Sequence, residues 1–265
     1  MDEGHPSAAV DLALARAVVY RTLSIGFQPP TRARLDDIGA REGFCVVMAA
    51  LACQSLQTGH GRLPSVAARL ASLSVPDVEA LSASFWRLFG HTTRGLVCAY
   101  ETEYGPDNGF HQPQQLADIS GYYLGFGLRP VTAADVRGDH IACECEFMDF
   151  LSRKQAYLLD GLAGKRLPTP LEETLEVIEQ AERAFLRDHL GRFGRAFAAR
   201  VVAEDDEGYF GALGRVLLGF VEGECARVGV EAGPAELIVR PDEVDETPMA
   251  CGSADEQLIQ IQRRP

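Results

Sequence analysis

Asp139 and His140 stand side by side where a long helical pattern begins, and Glu144 follows His140 by four residues. On a helix that spacing puts His140 and Glu144 on one face. Two ligands of a metal site are one chemistry open to them, and a helical metal-dependent hydrolase using His140 and Glu144 is one reading, although no third ligand is assigned. Recognition is another. Asp139 at an N-cap would satisfy free backbone N–H groups, and His140 at the first helical position would have its pKa lowered by the positive helix end. A neutral imidazole beside a carboxylate can hydrogen-bond a ligand or act as a base. Spacing alone leaves the capping role and the site role open. Glu101 and Glu103 lie between Tyr100 and Tyr104 in a glycine-rich interval. Carboxylates with aromatic neighbours suit a cationic peptide, held by charge and ring faces. Equally, Glu101 would accept loop N–H groups while the tyrosines anchor the loop. Trp86, the one tryptophan, falls off the stripe of Phe85, Leu88 and Phe89 and either lines a groove or joins the core. Glu146 falls nearly opposite Glu144, so those two are no acid-base pair.

Other chemistries lack support. GxSxG, GxxxxGK[ST] and GxGxxG are absent from the chain, and no sequence neighbour activates Cys98. No catalytic residue, resident metal or cofactor is assigned. The formal net charge of −13 argues against nucleic acid or an anionic membrane surface, both of which need a basic footprint. The seven cysteines contain no CxxC, and Cys143 and Cys145 are too closely spaced for a zinc knuckle. Reduced thiols and an acidic start, Met1-Asp-Glu-Gly-His-Pro, without a signal-peptide pattern imply a soluble chain kept in the cytoplasm.

The elements that must position these residues read as helices, with no convincing strand alternation and no internal repeat. Helices are expected over 7–27, stopped by Pro29-Pro30, then near 44–57, 65–73 and 76–89, the last ended by Gly90. In the first, Leu12, Ala15, Val19 and Leu23 form the stripe, while Asp11, Arg16, Tyr20 and Arg21 interrupt the apolar run and exclude a membrane span. Residues 91–112 are an aromatic-rich loop, and loops of that length inside a compact domain are usually functional. Further helices are expected over 113–126, closed by Gly127, and 139–159, capped by Asp139 and central to the core. Two more follow, at 168–190 and 209–228, with Gly191 and Gly194 as a break before a short piece at 197–202. The division is an all-helical domain over 1–230 and an irregular acidic tail over 231–265, mobile or draped over the body.

Phe85-Trp86-Arg87-Leu88-Phe89, the run Tyr100-Glu101-Thr102-Glu103-Tyr104 with Pro113-Gln-Gln-Leu-Ala-Asp-Ile-Ser-Gly-Tyr-Tyr, Asp139-His140 with Glu144 and Glu146-Phe-Met148, and Asp188-His189-Leu190-Gly191 occur in this order. Together they resemble the TorD/DmsD/NarJ family of redox-enzyme maturation chaperones, closest to the branch serving type II DMSO-reductase-family enzymes. The resemblance spans about residues 8–220. It implies an all-α, TorD-like bundle, not an enzyme. It implies as partner the apo catalytic subunit of a molybdenum oxidoreductase, with its twin-arginine signal peptide, held until the bis-molybdopterin guanine dinucleotide is inserted and export follows. It assigns Asp139 and His140 to the client site, with Glu101, Tyr104, Trp86, Tyr100 and Glu144 beside them. Some members bind guanine nucleotide, which this chain without a phosphate loop is not expected to do. A homo-oligomer formed through the long loop is open, as is a generic helical adaptor. Where the family has proline before the acid-His pair, this chain has Gly138, which frees φ and is expected to loosen the turn.

Overall fold

The computed structural model describes residues 8–39, 77–90, 95–105, 111–129, 136–164 and 171–240. Within them the chain forms eight α-helices: α1 (Ala8–Gly26), α2 (Arg32–Gly39), α3 (Val78–Phe89), α4 (His111–Gly125), α5 (Ile141–Gly164), α6 (Leu171–Asp188), α7 (Leu190–Glu204) and α8 (Tyr209–Arg227). A single 3-10 turn, Glu101–Glu103, lies in the loop before α4. No sheet forms among the described residues; two isolated bridges, Tyr100 with His140 and Tyr104 with Val239, are the only extended pairings there. This is an all-helical, single-domain bundle. Among the described residues no helix is long and apolar enough to cross a membrane. The helices expected at 44–57 and 65–73, and the tail beyond residue 240, lie outside the described residues.

α5 is the axis of the bundle, packed on α1 along one side and on α6 along another, while α7 pairs with α8. Its apolar residues Ile141, Ala142, Cys145, Met148, Leu151 and Leu158 are all buried, as the broad apolar face requires. A chain of aromatic rings, Phe27, Phe89, Phe197 and Phe193, runs on to Tyr104 in the loop with centroids 5.1 to 6.5 Å apart. The loop is therefore plugged into the core through that tyrosine. Phe85, Leu88 and Phe89 are buried on α3, and Gly90 ends the helix at φ 69, a conformation natural to glycine.

Four expectations need correction. α2 follows the Pro29-Pro30 stop at once, a helix the sparse apolar pattern of Arg32–Gly39 did not announce. The buried stripe of α1 contains Arg16 and Tyr20, while Leu12 and Ala15 are only partly covered. Arg16 is buried because it is paired: its Nε lies 2.8 Å from Glu224, its Nη1 donates to Gln155, and Glu182 also contacts it. Tyr20 donates to Glu224 as well, and Arg227 closes the cluster on Glu182 and Glu224. Gly191 and Gly194 break nothing. The chain bends before them, at His189 (φ −126, ψ −99), and α7 runs through both. A Cβ at Gly191 would collide with the Leu186 carbonyl and Cys225 Sγ, so glycine there permits close approach at the bend. Lastly, Gly138 stays out of the left-handed region; its carbonyl accepts from Tyr123 Oη at 2.7 Å, which fixes the turn.

Residues 229–240 are draped over the body. The Gly233 N–H donates to Gly191 O, Arg195 donates to Gly233 O, and Arg200 to Leu237 O. The Gly105 N–H donates to Ile238 O and the Arg240 N–H to Glu103 O, so the segment pairs with the loop.

Candidate functional site

The loop 99–105 is held on two sides. On one, the Glu101 N–H donates to Asp139 O and the Ile141 N–H to Ala99 O, tying it to the start of α5. On the other it meets 238–240. Tyr104 is wholly buried and its hydroxyl donates to Cys98 O at 2.7 Å, so it anchors the loop from within. This backbone frame brings Glu101, Glu103, Asp139, His140 and Glu144 together, with Tyr100 half-buried at the rim.

The side chains form two connected clusters. In the first, Asp139 accepts from the Thr102 N–H (3.2 Å), from Thr102 Oγ1 (2.8 Å), and from Arg137 through Nε (3.0 Å) and Nη2 (2.9 Å). Arg137 Nη2 also reaches Glu103 at 3.1 Å, and its guanidinium lies 4.6 Å from the Tyr100 ring centroid. Gln112, at the start of α4, donates to Glu103 and Thr102. In the second, Glu101 is fully buried and accepts from Arg192 Nε (3.1 Å) and Nη2 (2.6 Å). His189 stands between carboxylates, with Nδ1 3.1 Å from Glu101 and Nε2 3.2 Å from Asp118 Oδ2 on α4. Burial opposes ionisation of Glu101, but the His189 hydrogen bond and the nearby cations outweigh it and hold its pKa below the ordinary carboxylate range.

Glu144 behaves oppositely. It projects from α5 into the interior with no N–H or O–H donor on either oxygen. Burial, then the charge and hydrogen bond of Glu101, push its pKa well above the usual value. Its protonated form is therefore favoured.

The capping expectation is reversed. Asp139 does not cap α5, because Thr102 and Arg137 claim its carboxylate. The cap is His140, whose Nδ1 accepts the Ala142 N–H at 3.1 Å. That bond requires a ring unprotonated at Nδ1, and burial lowers the His140 pKa to about 4. The imidazole is therefore neutral and occupied, packed edge-on to Tyr100 at 5.0 Å. Glu146 lies on the exposed side, 3.4 Å from Arg21, away from Glu144. Among the described residues no group of three or more His, Cys, Asp or Glu side chains is arranged to hold a metal ion. Trp86 is half-buried and meets Phe85 at 5.0 Å, in the α3 part of the core. The described cysteines 98, 143, 145 and 225 are free thiols, each with its pKa pushed up by burial.

Arg137, His189, Arg192 and Asp118 carry no role in the sequence reading. His189 had one signal: Asp188-His189 repeats the acid-His pattern of Asp139-His140. For Arg192 and Asp118 the contacts cross the chain and leave no local trace, whereas Arg137 pairs with Asp139 two residues on as well as with Thr102 and Glu103.

As an arrangement, the site holds carboxylates and guanidinium forks under an aromatic rim. The His140 imidazole and the thiols are poorly placed to transfer protons or attack at neutral pH.

Residues 53–199 match the family model described as nitrate reductase delta subunit. The chaperone protein TorD of Photobacterium profundum is 28% identical over 146 residues, covering 55% of this chain and 62% of that protein. The chain thus spans somewhat less than two thirds of the curated relative it matches. No solved structure matches the chain.

Proposed function

The chain belongs to the nitrate reductase delta subunit family, and from that premise we propose that it is a cytoplasmic maturation chaperone. Its client is the apo catalytic subunit of a molybdenum oxidoreductase of the type II DMSO-reductase group. It holds that subunit and its twin-arginine leader until the bis-molybdopterin guanine dinucleotide is in place. The observation that carries the reading is the convergence of the 99–105 loop, the head of α5 and the α6–α7 bend on one carboxylate cluster with a tyrosine face. A leader that is basic and then apolar finds its first part attracted to such a cluster in a chain of net charge −13. Tyr100 forms the contact rim. Asp139, His140, Glu101, Glu144 and Tyr104 hold that rim in shape, and Trp86 supports the apolar side from α3.

No bond-making step is assigned. His140 spends its free nitrogen on the helix cap, so the hydrolase alternative would need a ring already engaged. The domain proper is taken as residues 1–230, with the segment from 231 onward as its appended tail.

Co-expression with a molybdoenzyme catalytic subunit tests the reading. The apo subunit should co-purify with the chain, and the cofactor-loaded subunit should not. Equal capture of both forms, or of neither, overturns it.

A further inference from the structure

Asp139 is bonded twice over. Thr102 holds it through N–H and hydroxyl, and the backbone bonds Glu101 N–H to Asp139 O and Ile141 N–H to Ala99 O fix its position. Glu103 is held separately by Gln112. None of these bonds involves Arg137. With Arg137 withdrawn, the structure would still present two carboxylates, a threonine hydroxyl and the face of Tyr100 in one place. That set matches the planar fork and flat faces of a guanidinium.

The present occupant is bound through its fork and sits partly in solvent. Arg137 comes from non-helical backbone two residues before Asp139, and its side chain is 34% exposed. Arg192 differs: it rises from α7 and its fork supports Glu101, which in turn holds His189. Arg137 can leave to solvent by giving up its bonds to Asp139, Thr102 and Glu103 and its place over the Tyr100 ring, while the bonds among the socket residues remain.

We propose that Arg137 is a built-in competitor, occupying a guanidinium socket formed by Asp139, Glu103, Thr102 and Tyr100 that an arginine of the client takes over. This rests on the client-binding reading above and adds how that site is regulated. One guanidinium replaces another, so the same hydrogen bonds form before and after. The incoming arginine competes with a tethered residue whose effective concentration is on the order of millimolar. Binding is thereby weakened, and the client is released when its own folding withdraws the arginine.

The test uses the full chain and a fluorescent peptide with two adjacent arginines followed by a leucine run, read by anisotropy. Arg137→Gln should bind it about tenfold tighter than wild type. Arg87→Gln, which removes the same charge beside Asp205, should change affinity by less than about twofold. Adding Asp139→Asn to Arg137→Gln should abolish the gain. In the wild-type chain, the Arg137 Nε–H resonance should move to the free-arginine position as peptide is added, a readout that needs no variant. Equal or weaker binding by Arg137→Gln, a gain matched by Arg87→Gln, or an unmoved Arg137 resonance at saturating peptide overturns the inference and leaves the chaperone reading standing. If no form binds the peptide, both fall together.

Discussion

Replacing Glu144 by glutamine should change how stability depends on pH. Glu144 is fully buried, has no donor on either oxygen, and faces ionised Glu101. Its folded pKa therefore lies well above the 4.5 of the unfolded chain. Below pH 4.5 both states are protonated and the contribution is at its full value. As pH rises above that, the unfolded chain ionises first and stability is lost until the folded group also titrates. Each pH unit in this window costs up to about 1.4 kcal/mol. The glutamine of the Glu144→Gln variant is neutral, as the protonated acid is, and would not titrate. The stability gap between Glu144→Gln and wild type should therefore widen in favour of the variant over that range. Urea unfolding, followed by fluorescence of Trp86, measures it at about pH 5, 6 and 7.5. Contributions from other groups, His140 included, appear in both proteins and cancel in the difference. A gap that does not change with pH would mean that Glu144 ionises normally inside the fold. A gap that narrows would mean that a cation stabilises its anion; either result refutes the protonated-acid assignment.

His140 should show the opposite slope. Its pKa falls to about 4 in the fold against 6.5 unfolded, so its contribution is present above pH 6.5 and is lost as pH drops towards 4, by up to about 3 kcal/mol. Asparagine at 140 keeps a capping acceptor without titrating, so urea unfolding at about pH 4.5 and about pH 7 should show a smaller acid loss than wild type; equal losses would count against the His140 cap. Arg16→Met should destabilise the fold by about 3 kcal/mol, because Glu182 and Glu224 remain buried after losing a cation that contacts both. A loss below about 1 kcal/mol in the same assay would show that Arg227 suffices alone.

The helical plan was legible wherever apolar residues recur with the helix period. The α3, α4, α5 and α8 segments, and Gly90 as a stop, were readable for that reason. What escaped depends on partners far along the chain. Arg16 looks like an interruption of an apolar run until Glu224, 208 residues later, supplies its countercharge. Asp139 looks like a cap because local spacing cannot reveal Thr102, 37 residues earlier, competing for its oxygens. Glu101 and Glu144 were visible as acids, but not that one is charged and the other protonated. That difference is set by Arg192 and His189 on one side and by apolar burial on the other. The bend at His189 hides behind two glycines that look like breakers, of which Gly191 is in fact a close-packing position.

The bridge between Tyr104 and Val239 bears on when the protein becomes competent. During synthesis the loop is made before the second half of the chain, and its second neighbour is made only after all eight described helices have been synthesised. A nascent chain therefore carries a loop supported on one side only, and the second side of its frame closes after the helices that surround it have been made.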